Sequence, residues 1–506
     1  MTEGTAYQTL EHRFKRLGVL GGIDRILEWD SQTMMPVGGA RDRAEQSAVI
    51  ALLCHEMLNH PSLGDLLDKA EADDLAKLDP WQTANLGEMR RRWIHANSVD
   101  ARLVEALTKA VSASEICWRE ARPANDFAGF VKSMGDVLAL VREAAVAKAE
   151  ALDCSPYDAL LDNFEPHGRS ADIDRLFNRL TGFLPDFLAR VVECQAAEPA
   201  PLPLEGPFPL AAQRILGRRM MDAVGFDFDH GRLDESDHPF TGGSPDDVRI
   251  TTRYHDGDFT QALMAVLHET GHAMYERGLP AAWRHQPVGE AAGMSIHESQ
   301  SLLLEMQACR SRAFVEYAAP LMREAFGGEG PAWEAENIYR LNTRAIPGLI
   351  RVYADEVTYP AHVMLRYRLE KSMIAGDLVL GDLPGAWADG MNEMLGITPP
   401  DDRDGCMQDI HWAVGAYGYF PTYTLGAVIA AQLYDAAKAA DGDIEPGLAR
   451  GDFKPLFAWL APHVHAHGAS LGPADLVERA CGQPLDVAVF ERHLAARYLT
   501  GVGDGL

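Results

Sequence analysis

The sequence predicts a mainly α protein: a large two-lobed helical body with one small β-sheet, followed by a helix that carries a candidate metal motif. Three observations carry that expectation. Apolar residues recur at helical spacing along most of the chain. One region, residues 226–254, switches to strand spacing. Directly after it, His268-Glu269-Thr270-Gly271-His272 lies inside a well-bounded amphipathic stretch. A chain of 506 residues suits two or three domains or one two-lobed body. The continuity of the helical pattern favours one body spanning 1–506. Its parts are a helical N-terminal part (1–195), a crossing at 196–210 and a part carrying the metal motif (211–506).

Taken in order, Tyr7–Leu27, Ala44–Leu58, Ala101–Glu120 and Phe127–Leu152 have helical apolar spacing. Between the first two, Trp29 to Pro36 reads as a turn that forms a packed corner or lines a cleft. Prolines at 199, 201, 203, 207 and 209 mark an extended crossing. A short helix, Ala211–Val224, precedes two strand-like runs, Phe226-Asp227-Phe228 and Asp247–Tyr254, with the polar, Gly-rich stretch His230–Asp246 between them. An exposed edge of such a sheet can take an extended peptide as an added strand, or the strands can simply cover the next helix. Further amphipathic segments follow at Pro331–Thr343, Ala354–Ala375, Thr424–Ala440 and Leu485–Leu499.

The motif helix runs from Asp258, a capping residue, to Gly278 before Leu279-Pro280. Residues four apart stack on one helix face, so His268 and His272 can aim both imidazoles at one ion. Glu269 is turned aside enough to miss the ion and still reach a water on it. This is H-E-x-x-H, two ligands and a general base, as in zinc peptidases. A third ligand is required. Glu276 shares the face, but a helix seldom wraps three turns around one small ion. Glu290 lies in an apparent loop, Val288–Gly293, whereas Glu298 opens a second amphipathic stretch. Rigid elements hold ligands better than loops, which favours Glu298 over Glu290.

Composition narrows the function. Lys and Arg total 46 against 74 Asp and Glu, a net charge of −28, which argues against nucleic-acid or anionic-membrane surfaces as partners. It also means that an anionic substrate group must meet a locally placed cation. No run approaches the ~18 apolar residues of a membrane span, and Met1–Gly18 lacks a signal-like core. The seven cysteines form no C-x-x-C pair and read as free thiols in a reducing cytoplasm.

Six motifs, in this order, resemble the carboxypeptidase Taq family of zinc metallocarboxypeptidases. They are His238-Pro239-Phe240, Asp247-Val248-Arg249-Ile250-Thr251, His268–His272, His297-Glu298-Ser299-Gln300, Ile350–Asp355 and Gly405–Trp412. The Trp29–Pro36 turn and Gly418–Tyr423 resemble it too. One departure is Glu165-Pro166-His167-Gly168, with His167 where the family pattern has glycine directly after the proline.

The resemblance implies Glu298 as third ligand, zinc (with cobalt possible) at the floor of a deep groove, and commonly a homodimer. It implies peptide substrates with a free C-terminus. Glu269 is then the base that takes a proton from the attacking water and returns it to the leaving amine. Tyr423, Tyr419 and His411, all within family-like motifs, are the candidates to stabilise the oxyanion. A free C-terminal carboxylate needs a guanidinium fork, for which Arg351 is the first choice and Arg249 the reserve. Arg351 also has a competing reading, an ion pair to Asp355 one helical turn later. His238 and Gln408 either line the groove or make structural hydrogen bonds. Cys406 has no partnering base and reads as packing. Two other functions keep weight: a helical zinc endopeptidase or oligopeptidase, which needs no carboxylate clamp, and a non-catalytic peptide-binding scaffold, against which the intact Glu269 argues.

Overall fold

The computed structural model describes residues 4–499. Helices make up nearly all of the regular structure, and one three-stranded sheet supplies the rest, so the mainly α expectation is met. Among the described residues no helix is long and apolar enough to cross a membrane. The chain forms two compact units. The first holds residues up to Ala96, Pro201–Asn342 and Ile429–Leu485; the second holds Asn97–Ala200, Thr343–Val428 and the chain from Asp486. The chain passes from the second unit into the first between Ala200 and Pro201, inside the proline-rich stretch.

In the first unit the sheet consists of β1 (Gly231–Glu235), β2 (Thr241–Ser244) and β3 (Asp247–Thr252). Their order is β1-β3-β2, with β1 parallel and β2 antiparallel to the central β3. Alternation along β3 sends Val248 and Ile250 inward, where they meet Met221, Val266 and Ala273. Fully burying each large apolar side chain contributes about 1.5–3 kcal/mol. That contact holds the sheet against helix Leu210–Val224 and the motif helix, Thr260–Gly278.

The strand expected at Phe226–Phe228 is absent. Those residues form a turn region, and Phe226 plugs the same apolar cluster. Two of the observed strands instead fall in the stretch read as polar loop. Both are edge strands, one dominated by charge and the other by glycine, so neither shows the apolar alternation of a half-buried strand. Trp29 also differs from expectation. Helix Ala6–Thr33 includes it, and the corner begins only at Met34. Its ring is buried beneath the guanidinium groups of Arg249 and Arg232, 4.3 and 5.0 Å from the centroid.

The motif helix starts as its sequence suggests, with Asp258 Oδ1 accepting from the Thr260 N–H at 2.8 Å. Gly271 decides what lies opposite. A Cβ there would stand 2.6 Å from the Gln300 carbonyl oxygen and from Ser301 Cα, so only glycine permits this approach of helix Met294–Leu302. That second helix continues into a wider π-helical turn, Leu303–Ala308.

The second unit is built from long helices, among them Ala101–Ala124, Phe127–Leu152, Ser170–Ala196 and Tyr359–Ala375. His167 adopts φ 62°, a left-handed conformation more readily taken by glycine, which accounts physically for a glycine in the family pattern there. Arg351 lies on a single 3₁₀ turn, Arg351–Tyr353, not on the helix that a pair with Asp355 one turn later would need, and the segment expected from Ala354 becomes helical only at Tyr359. Asp355 holds the turn before that start: its carboxylate accepts from the N–H groups of Val357, Thr358 and Ile346.

Candidate metal centre

His268 and His272 stand one turn apart on the buried face of their helix, and Gly271 between them lets the second helix bring Glu298 alongside. The donor atoms of these three residues lie within 4.8 Å of one another. Glu298 Oε2 is 3.5 Å from His272 Nε2 and 3.8 Å from His268 Nε2. Tetrahedral ligands at zinc–ligand distances near 2.0 Å stand about 3.3 Å apart, and the two separations from Glu298 are close to that spacing. Two imidazoles and a carboxylate are also the donor chemistry zinc takes.

The electrostatics agree. Burial pushes the His272 imidazole down to about 3, helped by the charge of His297, so it is neutral and able to ligate. Burial alone would raise the Glu298 carboxyl, but the hydrogen bond with His272 and the charge of His268 take it down to about 2. At His268 burial opposes the charged form, yet Glu305, Glu298 and Glu269 outweigh it and lift its pKa to about 10. The carboxylates around this point therefore favour positive charge, and a divalent cation would meet the same field.

Glu290, the competing third ligand, is engaged elsewhere. Its carboxylate pairs with Arg92 at 2.5 Å. Glu276 bonds His297 at 3.0 Å, and His297 stacks on the His272 ring with centroids 4.4 Å apart. Glu269 is buried, and burial raises its pKa. Its Oε2 lies 2.7 Å from the Thr241 hydroxyl, which brings β2 to the motif helix. Because Thr251 N–H bonds the Phe240 carbonyl at 2.9 Å, alternation turns the backbone groups of Thr241 and Gly243 to the outer edge of β2. Arg25 takes the Gly243 carbonyl there, at 2.7 Å.

Of the other residues singled out from sequence, His238 is exposed in the loop between β1 and β2. Arg249 makes a bidentate pair with Asp247, two bonds of 2.6 Å, besides its stack on Trp29. Arg351, Gln408, His411, Tyr419 and Tyr423 all belong to the second unit and form one cluster there. Arg351 pairs with Asp409 at 2.8 Å, not with Asp355. Arg366, fully buried, takes the other Asp409 oxygen at 2.6 Å. Two guanidinium groups thus share one carboxylate, which they hold well below the usual range although burial opposes this. The Arg351 guanidinium lies 4.9 Å from the Tyr423 ring centre.

His411 Nε2 is 3.4 Å from the Tyr423 hydroxyl, and burial lowers its pKa to about 4. Tyr419 packs edge-on against Tyr423, centroids 5.1 Å apart. Gln408 uses its whole amide on backbone: Oε1 accepts from Arg351 N–H, and Nε2 donates to the Leu349 carbonyl. It fastens the Arg351 segment. Cys406 is buried and its thiol is pushed up by that burial, as a packing residue should be. Sequence reasoning did not find Thr241, Glu305, Asp409 or Arg366. Asp409 had a signal, its place inside a quoted motif, and Glu305 a fainter one, its helical spacing from Glu298.

Comparison with known proteins gives consistent matches along nearly the whole chain. The family model described as carboxypeptidase Taq (M32) metallopeptidase matches residues 9–498. A protein named thermostable carboxypeptidase 1, from Thermus thermophilus, is 39% identical over 98% of this chain and 99% of its own. A carboxypeptidase 1 from Bacillus subtilis is 33% identical over 96% of each. Among solved structures, Trypanosoma cruzi metallocarboxypeptidase 1 superimposes with a TM-score of 0.95 at 39% identity, covering 97% of this chain and 99% of that one. An M32 carboxypeptidase from Deinococcus radiodurans gives 0.92 at 36% identity, covering 98% and 99%.

Proposed function

We propose that this chain, which belongs to the carboxypeptidase Taq (M32) family of metallopeptidases, hydrolyses the last peptide bond of peptides with a free C-terminus and uses one zinc ion to do so. The observation that carries the zinc reading is the convergence of His268, His272 and Glu298, with Glu269 beside them. When bound, zinc supplies Lewis-acid polarisation and a water whose pKa falls towards neutrality. Everything else is work for the chain's own groups.

Glu269 takes a proton from the attacking water and passes it to the leaving amine. Since the Thr241 hydroxyl lies at Oε2, Oε1 is the oxygen assigned to that transfer. The outer edge of β2 at Thr241 receives the substrate backbone as an added strand. To the cluster of the second unit we assign recognition and charge stabilisation. Arg351 receives the substrate carboxylate, and Tyr423, with His411 beside its hydroxyl, donates to the developing oxyanion. A homodimer in the cytoplasm remains part of the proposal, testable by sedimentation and fractionation.

Chelation should abolish hydrolysis, and Zn²⁺ or Co²⁺ should restore it. Full activity in a demonstrably metal-free sample would end the zinc reading. Comparing free-acid with amidated peptides separates this proposal from an endopeptidase, which would cleave both alike.

A further inference from the structure

The geometry points to Glu305 as the residue that fixes the His268 imidazole for the metal, with Arg310 holding Glu305 in turn. Glu305 is buried on the π-helical turn Leu303–Ala308, two turns beyond Glu298 on the same continuous helical stretch. Single π-turns of this kind recur at functional sites. Glu305 Oε2 lies 3.0 Å from His268 Nδ1, and Oε1 accepts from Arg310 at 2.7 Å. Arg310 donates in addition to the Asn342 carbonyl at 3.1 Å, which ties the chain of contacts to the backbone.

A neutral imidazole has one N–H and one lone pair. Donation from Nδ1 to a carboxylate leaves the lone pair on Nε2, the atom that faces Glu298. It also fixes the ring plane and makes Nε2 a better donor to a cation. The two ligand histidines are held by different means. His272 Nδ1 has no hydrogen-bond partner among the described residues, and its ring is kept in place by the stack on His297. The charge-assisted hold on the site therefore falls on Glu305 alone. One helix then supplies both a ligand, Glu298, and the carboxylate that orients another ligand.

This inference rests on the reading that His268, His272 and Glu298 bind zinc, and its test keeps the two apart. Zinc dissociation constants are to be measured by chelator competition for wild type, Glu305→Gln, Glu305→Ala and a control, Glu290→Gln, which alters a loop carboxylate paired with Arg92 and touching none of the three ligands. Melting of each metal-free form reports folding separately. The Glu305 variants should bind zinc about 10- to 100-fold more weakly, and the control should stay near wild type. A wild type that binds no zinc overturns the zinc reading. Glu305 variants that match wild-type affinity overturn this inference and leave that reading intact. Should the variants fail to fold, ¹⁵N-histidine spectra of zinc-loaded wild type decide: a protected Nδ1 proton on a ring ligated through Nε2 supports the role, and its absence overturns it.

Discussion

The hydroxyl of Thr241 reaches Oε2 of Glu269 at 2.7 Å and so joins the sheet edge to the base of the metal helix. Burial raises the Glu269 pKa, whereas this hydrogen bond favours the ionised form and lowers it. Thr241→Val keeps the shape and removes the donor. A base must be ionised to act, so the acid limb of the kcat/KM profile should move to higher pH. Activity at neutral pH should fall by about tenfold while zinc content stays stoichiometric. An unchanged acid limb would leave Thr241 with a structural role only.

The three carboxylates near the motif should behave in three ways. Glu269→Gln is expected to keep metal and lose on the order of 10²–10⁴ in rate, as a general base does. Glu298→Ala should lose the metal itself. Glu290→Ala should keep it, because that carboxylate is committed to Arg92. Elemental analysis of the purified variants decides, and stoichiometric zinc in Glu298→Ala would remove it from the ligand set.

How much of this was legible in the sequence follows from how local each signal is. H-E-x-x-H is a helix-face pattern, so both histidines and Glu269 could be placed from spacing alone. Choosing Glu298 over Glu290 from the rigidity of its element reached the arrangement seen, but the physical reason Glu290 is unavailable, Arg92, lies 198 positions away. Strands β1 and β2 escaped because charged or glycine-rich edge strands carry no alternation. Phe226 and Phe228 misled for the opposite reason, since an apolar plug and a strand share the same pattern. The competing reading of Arg351, an ion pair to Asp355 one helical turn later, is not met; the backbone N–H groups at 346, 357 and 358 claim that carboxylate instead. Glu305 had one faint signal, its position seven residues past Glu298 in a helical pattern.

A buried carboxylate in the second unit gives a prediction about stability. Glu370 is fully buried and accepts from Trp412 Nε1, Tyr157 Oη and the Gly418 N–H. Burial nonetheless lifts its pKa from 4.5 to about 7. The folded state thus binds this proton more tightly than the unfolded state does. Its stabilising contribution is complete below pH 4.5 and lost as pH rises to about 7, on the order of 3 kcal/mol in all. Glu370→Gln cannot titrate, so relative to wild type it should gain stability across that window. Denaturant midpoints at both ends of the window measure this, and an equal wild-type-to-variant difference at the two pH values would refute it.

The last prediction concerns Arg351. The sequence suggested an unpaired guanidinium; the structure pairs it with Asp409, but Arg366 holds that carboxylate too. Two positive charges against one negative leave a surplus of one, next to the rings of Tyr423 and Phe420. A substrate carboxylate would balance it. Arg249 has no such surplus, since Asp247 takes its fork and Trp29 its face. A charge-assisted hydrogen bond contributes about 1.5–3 kcal/mol, so Arg351→Ala should lower kcat/KM for free-acid peptides by about ten- to a hundredfold. Amidating the peptide should cost wild type a similar factor and cost the variant little more, because both changes delete the same contact. Asp409→Asn should leave the amidated-peptide rate less affected than Arg351→Ala leaves the free-acid rate. If the losses from Arg351→Ala and from amidation multiply instead, Arg351 does not meet the substrate carboxylate and serves only as a partner of Asp409.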